Sequence, residues 1–212
     1  MKKTLLALSL AGLFATSAQA ESDNLSQFYI SASVGQATFD EDFNELEDLG
    51  ASVDDSDTAF KFAVGYDFNE YFSVEAGYAD LGELAINNSY SDYYDADFNI
   101  TYNENIAATV SGLFASVIGK LPINEEFSLF AKVGYYSWDS DIDVAASVSQ
   151  YVYGENYKSS AKESDSLDGN DPFFGIGTQY AFDEISIKAE YEIFDIEDSD
   201  VNVLTVGASY HF

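Results

Sequence analysis

The chain has 212 residues, with 38 Asp and Glu against eight Lys, for a formal charge of −30. Phosphate recognition needs clustered cations, so this charge excludes nucleic acid as a partner; the absence of cysteine excludes disulfide staples and thiol chemistry. A charge of this size usually accompanies disorder, but an aromatic content of 16% argues against that reading.

Residues 1–20 open with Lys2 and Lys3, continue as an apolar run from Leu5 to Ala15 and end on Ala18-Gln19-Ala20. This is the layout of a secretory signal peptide cut before Glu21; the run is shorter than the roughly 20 residues of a spanning helix. Cleavage leaves six Lys against 38 acidic residues, a charge of −32. No later stretch is apolar for long enough to span as a helix. If residues 21–212 enter a membrane, they must do so as a closed β-barrel, the other structure that satisfies its own backbone in lipid.

The rest of the chain alternates with the period of two that marks a strand between unlike environments. A first strand is expected over 28–39. Segment 58–68 sets Phe60, Phe62, Val64 and Tyr66 against Lys61, Ala63, Gly65 and Asp67. After Asn69-Glu70-Tyr71, segment 72–80 sets Phe72, Val74, Ala76 and Tyr78 against Ser73, Glu75, Gly77 and Ala79. Two such runs around a tight turn predict a hairpin. A fourth strand is expected at 98–121, where apolar residues occupy both parities between Ile106 and Leu121 and a bulge near Gly112 is one way to switch the phase. Segment 127–136 sets Phe127, Leu129, Ala131, Val133 and Tyr135 against Ser128, Phe130, Lys132, Gly134 and Tyr136. Segment 173–182 sets Phe174, Ile176, Thr178 and Tyr180 against Gly175, Gly177 and Gln179; 185–194 sets Ile185, Ile187, Ala189, Tyr191 and Ile193 against Ser186, Lys188, Glu190 and Glu192. The final segment, 201–212, sets Leu204, Val206, Ala208, Tyr210 and Phe212 against Thr205, Gly207, Ser209 and His211. The expected fold is all-β: an eight-stranded antiparallel up-and-down transmembrane β-barrel.

Three features point the apolar face at lipid. Aromatics close both ends of that face, with Phe72, Phe127, Tyr180, Tyr210 and Phe212 at the short-turn end and Tyr78, Tyr135 and Trp138 towards the other. Turns are short at one end, while long loops are expected over 40–57, 82–97 and 139–170, with a shorter one over 195–200. The opposite parity is rich in Gly and carries the charges, which suits the crowded inside of a narrow barrel.

The runs YFSVEAGYADLG (71–82) and FSLFAKVGYYSWD (127–139), with the ending GIGTQYAFDEISIKAEYEIF…VLTVGASYHF, resemble the OmpA-like outer-membrane β-barrel domain family. The resemblance spans nearly all of residues 21–212 and implies a location in the outer membrane of a Gram-negative cell. It implies that Tyr210 and Phe212 form the C-terminal signal read by the barrel-assembly machinery. It also implies an inward Glu paired with a base on the seventh strand, here Glu75 and Lys188, with Lys132 and Glu190 as alternative partners. The family has Arg where this chain has Lys188, so bidentate pairing is lost. The chain stops at the barrel, without the peptidoglycan-binding domain of full-length members, so attachment to the cell wall is not expected.

The candidate lumen network is therefore Lys61, Glu75, Lys132, Lys188 and Glu190, read either as a structural plug or as the gate of a narrow porin-like channel. Loop carboxylates Asp54, Asp55 and Asp57, then Asp139, Asp141 and Asp143, then Glu197, Asp198 and Asp200 lack the spacing of an EF-hand. No cofactor or dedicated metal site is expected, beyond weak divalent-cation binding that bridges these loops to lipopolysaccharide. The expected partners are outer-membrane lipid, lipopolysaccharide and the assembly machinery, with the protein a monomer. Tyr151, Tyr153 and Tyr157 suggest a loop-borne adhesin or receptor surface. His211, the single histidine, falls at the periplasmic rim with no visible catalytic companions, so no enzymatic activity is expected.

Overall fold

The computed structural model describes residues 27–40, 43, 46–47, 50–95, 98–196 and 199–212. The signal peptide expected over residues 1–20 lies outside them, as do Glu197 and Asp198. The strands are β1 (Phe28–Asp40), β2 (Ala51–Asp54), β3 (Ser56–Asn69), β4 (Phe72–Asp95), β5 (Phe98–Pro122), β6 (Phe127–Val152), β7 (Glu155–Phe182), β8 (Ile185–Ile196) and β9 (Ser199–His211).

Each strand from β3 to β9 pairs antiparallel with the next, and β1 pairs with both β3 and β9, so eight strands close into a ring. Ring closure removes the free edges that an open sheet would leave in lipid. The ninth strand, β2, is a short addition that pairs with β4 over residues 85–88. Among the described residues no helix is long and apolar enough to cross a membrane.

The wall follows the expected alternation. Phe62, Val64, Val117, Val133, Phe174, Ile176, Leu204 and Val206 point outward and are exposed, whereas Lys61, Glu75, Lys132, Lys188 and Glu190 are buried inside. Phe72, Tyr180, Tyr210 and Phe212 are exposed at the short-turn end, as are Tyr78 and Tyr135 further up. The short turns are held locally. Asn69 Oδ1 accepts from the amides of Tyr71 and Phe72, and Asn124 Oδ1 from those of Glu126 and Phe127. Such Asn-capped turns stabilise a reversal without help from the wall.

Four expectations need correction. Residues 82–97 and 139–170 are for the most part not loops: β4, β5, β6 and β7 continue through them as paired strands, with Ile86 opposite Ile106, Tyr90 opposite Tyr102 and Val148 opposite Ser159. β5 runs in register with β6 throughout, without a bulge at Gly112; its inward residues include Val110, Phe114 and Ile118, which is why both parities read as apolar. The bulge is in β4, where Leu81 and Gly82 together face Val110. Gly82 takes φ +81°, its amide donates to Asp80 Oδ1, and Asp57 Oδ2 accepts from the Glu83 amide. Trp138 is not part of the outer aromatic belt but is buried inside. Finally, Tyr151, Tyr153 and Tyr157 do not form one cluster. Tyr151 shares a face with its partner Asn156, Tyr157 shares the other with Gln150, and Tyr153 sits in the turn between the strands.

Candidate functional site: the lumen and the outer sheet

Successive inward positions of β6 are Lys132, Gly134, Tyr136 and Trp138, and those of β8 are Lys188, Glu190, Glu192 and Phe194. Both strands therefore pass from charge to aromatic ring as they rise towards the long hairpins, building two layers.

The lower layer contains Lys61, Lys132 and Lys188 with Glu75, Glu190 and Glu192, so its formal charges cancel. Lys132 Nζ lies 3.0 Å from Glu75, 3.3 Å from Glu190 and 3.4 Å from Glu192. Lys188 lies 3.0 Å from Glu75 and 3.1 Å from Glu190. Lys61 lies 2.6 Å from Glu190 and also pairs closely with Glu192. The Tyr29 hydroxyl donates to Glu75 Oε1 at 3.0 Å. The structure thus brings all five sequence-derived lumen residues together. Glu192 and Tyr29 were missed, although Glu192 shares the inward parity of Glu190 and was legible by that signal. Burial of charge is tolerated where every charge has partners, as here.

The upper layer is a ring stack. Phe173 and Phe194 stack at 4.8 Å, Phe114 meets Phe173 edge-on at 5.9 Å, and Tyr136 meets Phe194 edge-on at 5.1 Å. The Tyr136 hydroxyl donates to the Ala79 carbonyl, and Trp138 Nε1 donates to Asp171 Oδ2 at 2.7 Å. Below the charges, at the short-turn rim, Asp67 pairs with Lys120 at 2.6 Å and with His211 at 3.3 Å. The hollow between Tyr29, Glu75, Phe130 and His211 measures only about 10 Å³, enough for a single water.

Above the wall, β4 to β7 with β2 form a two-faced sheet. One face carries Asn87, Ser89, Asn103, Asn105, Ser147 and Ser160, and the other Ile86, Tyr90, Tyr102, Ile106, Val144 and Val148. Asp143 lies on the first face, where a hydrogen bond from Ser164 and then the Lys162 ammonium hold its carboxyl below the usual range. Among the described residues, no group of three or more His, Asp or Glu side chains is placed to hold a metal ion.

A model of the outer membrane protein β-barrel domain matches residues 6–212. The chain belongs to this family. Outer membrane protein P5 of Haemophilus influenzae is 27% identical over 200 residues, covering 91% of this chain and 51% of P5. The chain therefore spans about half the length of that curated relative. Neisserial surface protein A covers 90% of this chain and matches over 100% of its own, at 14% identity and a TM-score of 0.50. Ail, the attachment invasion locus protein of Yersinia pestis, covers 88% of this chain and 99% of its own, at 18% identity and a TM-score of 0.47. Family membership places the barrel in the outer membrane, so the exposed Phe, Val, Ile and Leu of the wall meet hydrocarbon.

Proposed function

We propose that this family member is a closed, non-enzymatic barrel that serves the cell envelope structurally and presents a stiff sheet at the cell surface. The observation that carries the reading is the double seal of the lumen, charges below and rings above. A conducting path must breach both, and an eight-stranded barrel has little interior beyond its own side chains. The strands that rise out of the wall support surface presentation, because paired backbone holds a face in position where a free loop does not.

The other expected partners fit this reading. Asp139 and Asp141 lie on the outward parity of β6 just beyond the exposed Tyr135, on the side of the long hairpins. Divalent cations shared between these carboxylates and the phosphates remove a repulsion that a −30 chain otherwise suffers. Tyr210 and Phe212 end the last strand with exposed rings 5.3 Å apart, a form suited to recognition by the assembly machinery. The protein acts as a monomer. A narrow gated channel is the alternative. It is favoured by Lys188, nearly equidistant from Glu75 and Glu190 and so able to exchange partners.

Planar-bilayer recording separates the two. The closed reading expects no conductance steps from the native protein or from Glu75→Ala, since the ring stack persists in both. Steps from the native protein, or steps that appear with Glu75→Ala alone, establish the channel and overturn the closed barrel.

A further inference from the structure

The outer face of the upper sheet has a depression of about 690 Å³ that crosses five strands. Its lining is polar and nearly uncharged. Side-chain amides and hydroxyls predominate, without any Asp, and its charges are those of Glu104 and Lys162, the latter paired with Asp143 at 3.2 Å. In a chain of 38 acidic residues, a neutral polar floor is a local exception.

The amides are arranged rather than scattered. Asn87 and Asn105 are register partners, and Asn105 Nδ2 donates to Asn87 Oδ1 at 2.7 Å. One row further up, Ser89 donates to Asn103 Oδ1 at 2.9 Å. Each of these bonds fixes a side-chain orientation. Beyond it, the same side chains keep amide protons and lone pairs that a sugar hydroxyl can satisfy. The floor beside them, one strand over on β6, is Ala145 and Ser147, small enough to let a flat ring approach.

Chemistry narrows the ligand by elimination. An anion meets the field of the whole acidic surface with one committed lysine to offset it. A metal cation finds no carboxylate cluster here. An apolar ligand finds neither Leu, Ile, Val nor an aromatic in the lining. An uncharged polyhydroxyl remains, and the volume lies in the range of ordinary ligand pockets. Position agrees. Ala145 is ten residues above Tyr135 on β6, roughly 25 Å along the barrel axis and clear of the hydrocarbon.

We propose that this depression is a binding site for a short uncharged oligosaccharide, held by Asn87, Asn103 and Asn105 with Ser89 and Ser147. It rests on the reading that the sheet stands outside the cell. A glycan of this chemistry comes either from the membrane's own glycolipid or from the surroundings.

The test uses the full chain refolded in phosphatidylcholine nanodiscs and titrated with maltotetraose and with chitotetraose. Saturable binding of at least one is expected, weakened at least ten-fold by Asn87→Leu with Asn105→Leu and abolished by Ala145→Trp, which fills the floor while leaving every amide side chain present. Tyr102→Ser, on the opposite face, is expected to bind as the native protein does. Heat-modified gel mobility shows which variants have folded. Absence of saturable binding to both sugars, or binding unaltered in the folded Ala145→Trp protein, overturns the proposal. In nanodiscs that contain lipopolysaccharide, lost binding of the free sugar assigns the site to the membrane's own glycan, and undiminished binding assigns it to outside glycans; either result supports the site. Labelling of Ser147→Cys by a membrane-impermeant maleimide on intact cells tests surface exposure separately, so failure of that reading is distinguishable from failure to bind sugar.

Discussion

Lys132 projects from the wall portion of β6 to within 3.4 Å of three carboxylates, against two each for Lys61 and Lys188 among the described residues. Removing it leaves Glu75, Glu190 and Glu192 with Lys61 and Lys188, one net negative charge among buried side chains. Truncating one partner of a buried ionic cluster costs about 3–5 kcal/mol, because the loss falls on the charge left behind more than on the bond removed. Lys132→Met is therefore expected to lower the stability of the folded barrel by that amount, read from urea-dependent unfolding in lipid vesicles. Lys132→Met with Glu192→Gln restores formal neutrality and is expected to recover at least half of the loss. If the single variant unfolds at the native midpoint, the cluster contributes nothing to the fold and its conservation of charge is incidental to stability.

The β4–β5 hairpin shows how one element acquires two environments. Below Leu81 the odd residues of β4 face the lumen, as Ser73, Glu75 and Ala79 do; beyond Gly82 the even residues take that side, with Leu84 packed against the buried cluster. The two-for-one bulge makes the switch and so decides that Asn87 and Ser89 look outward. Gly82 at φ +81° has a conformation that a side chain resists, and a Cβ there meets Asp57 Cβ at 2.6 Å. Gly82→Ala is expected to destabilise by about 1–2 kcal/mol, and hydrogen exchange should show the loss confined to β4 and β5 above the wall. Loss of protection spread evenly around the ring would mean that the bulge is not a local device. The same element marks where reading the sequence stopped. Alternation was plain where lipid faced lumen, because two unlike solvents enforce it. Above the bilayer water reaches both faces, so residues 83–95 and 155–171 mix Ser, Asn, Asp and Glu with Ile and Tyr, and composition alone reads as loop. The charged layer was legible by parity. The ring stack was legible by the same signal but went unread: Tyr136 and Trp138 share the inward parity of Lys132, and Phe194 that of Lys188, yet the aromatic type of Trp138 drew it to the lipid belt.

At the scale of the whole molecule, every inference about the lumen, the belts and the upper sheet depends on the wall being solvated by hydrocarbon. Val117, Val133 and Phe174 are register partners in a row across β5, β6 and β7, each about half exposed, and the row lies near the level of Glu75, between the two aromatic belts. A cation placed there must shed its water or thin the bilayer, at a cost of about 2–4 kcal/mol at the midplane. The same change on the upper sheet stays in water. Val133→Lys is thus expected to destabilise the barrel folded into vesicles by about 2–4 kcal/mol, whereas Ser149→Lys, sixteen residues further along the same outward parity of β6, should change its stability by less than 0.5 kcal/mol. The comparison holds strand, face and side chain constant and varies only depth. Equal penalties at both positions would mean that the wall at Val133 is not in lipid, and the assignment of inside and outside would have to be reversed.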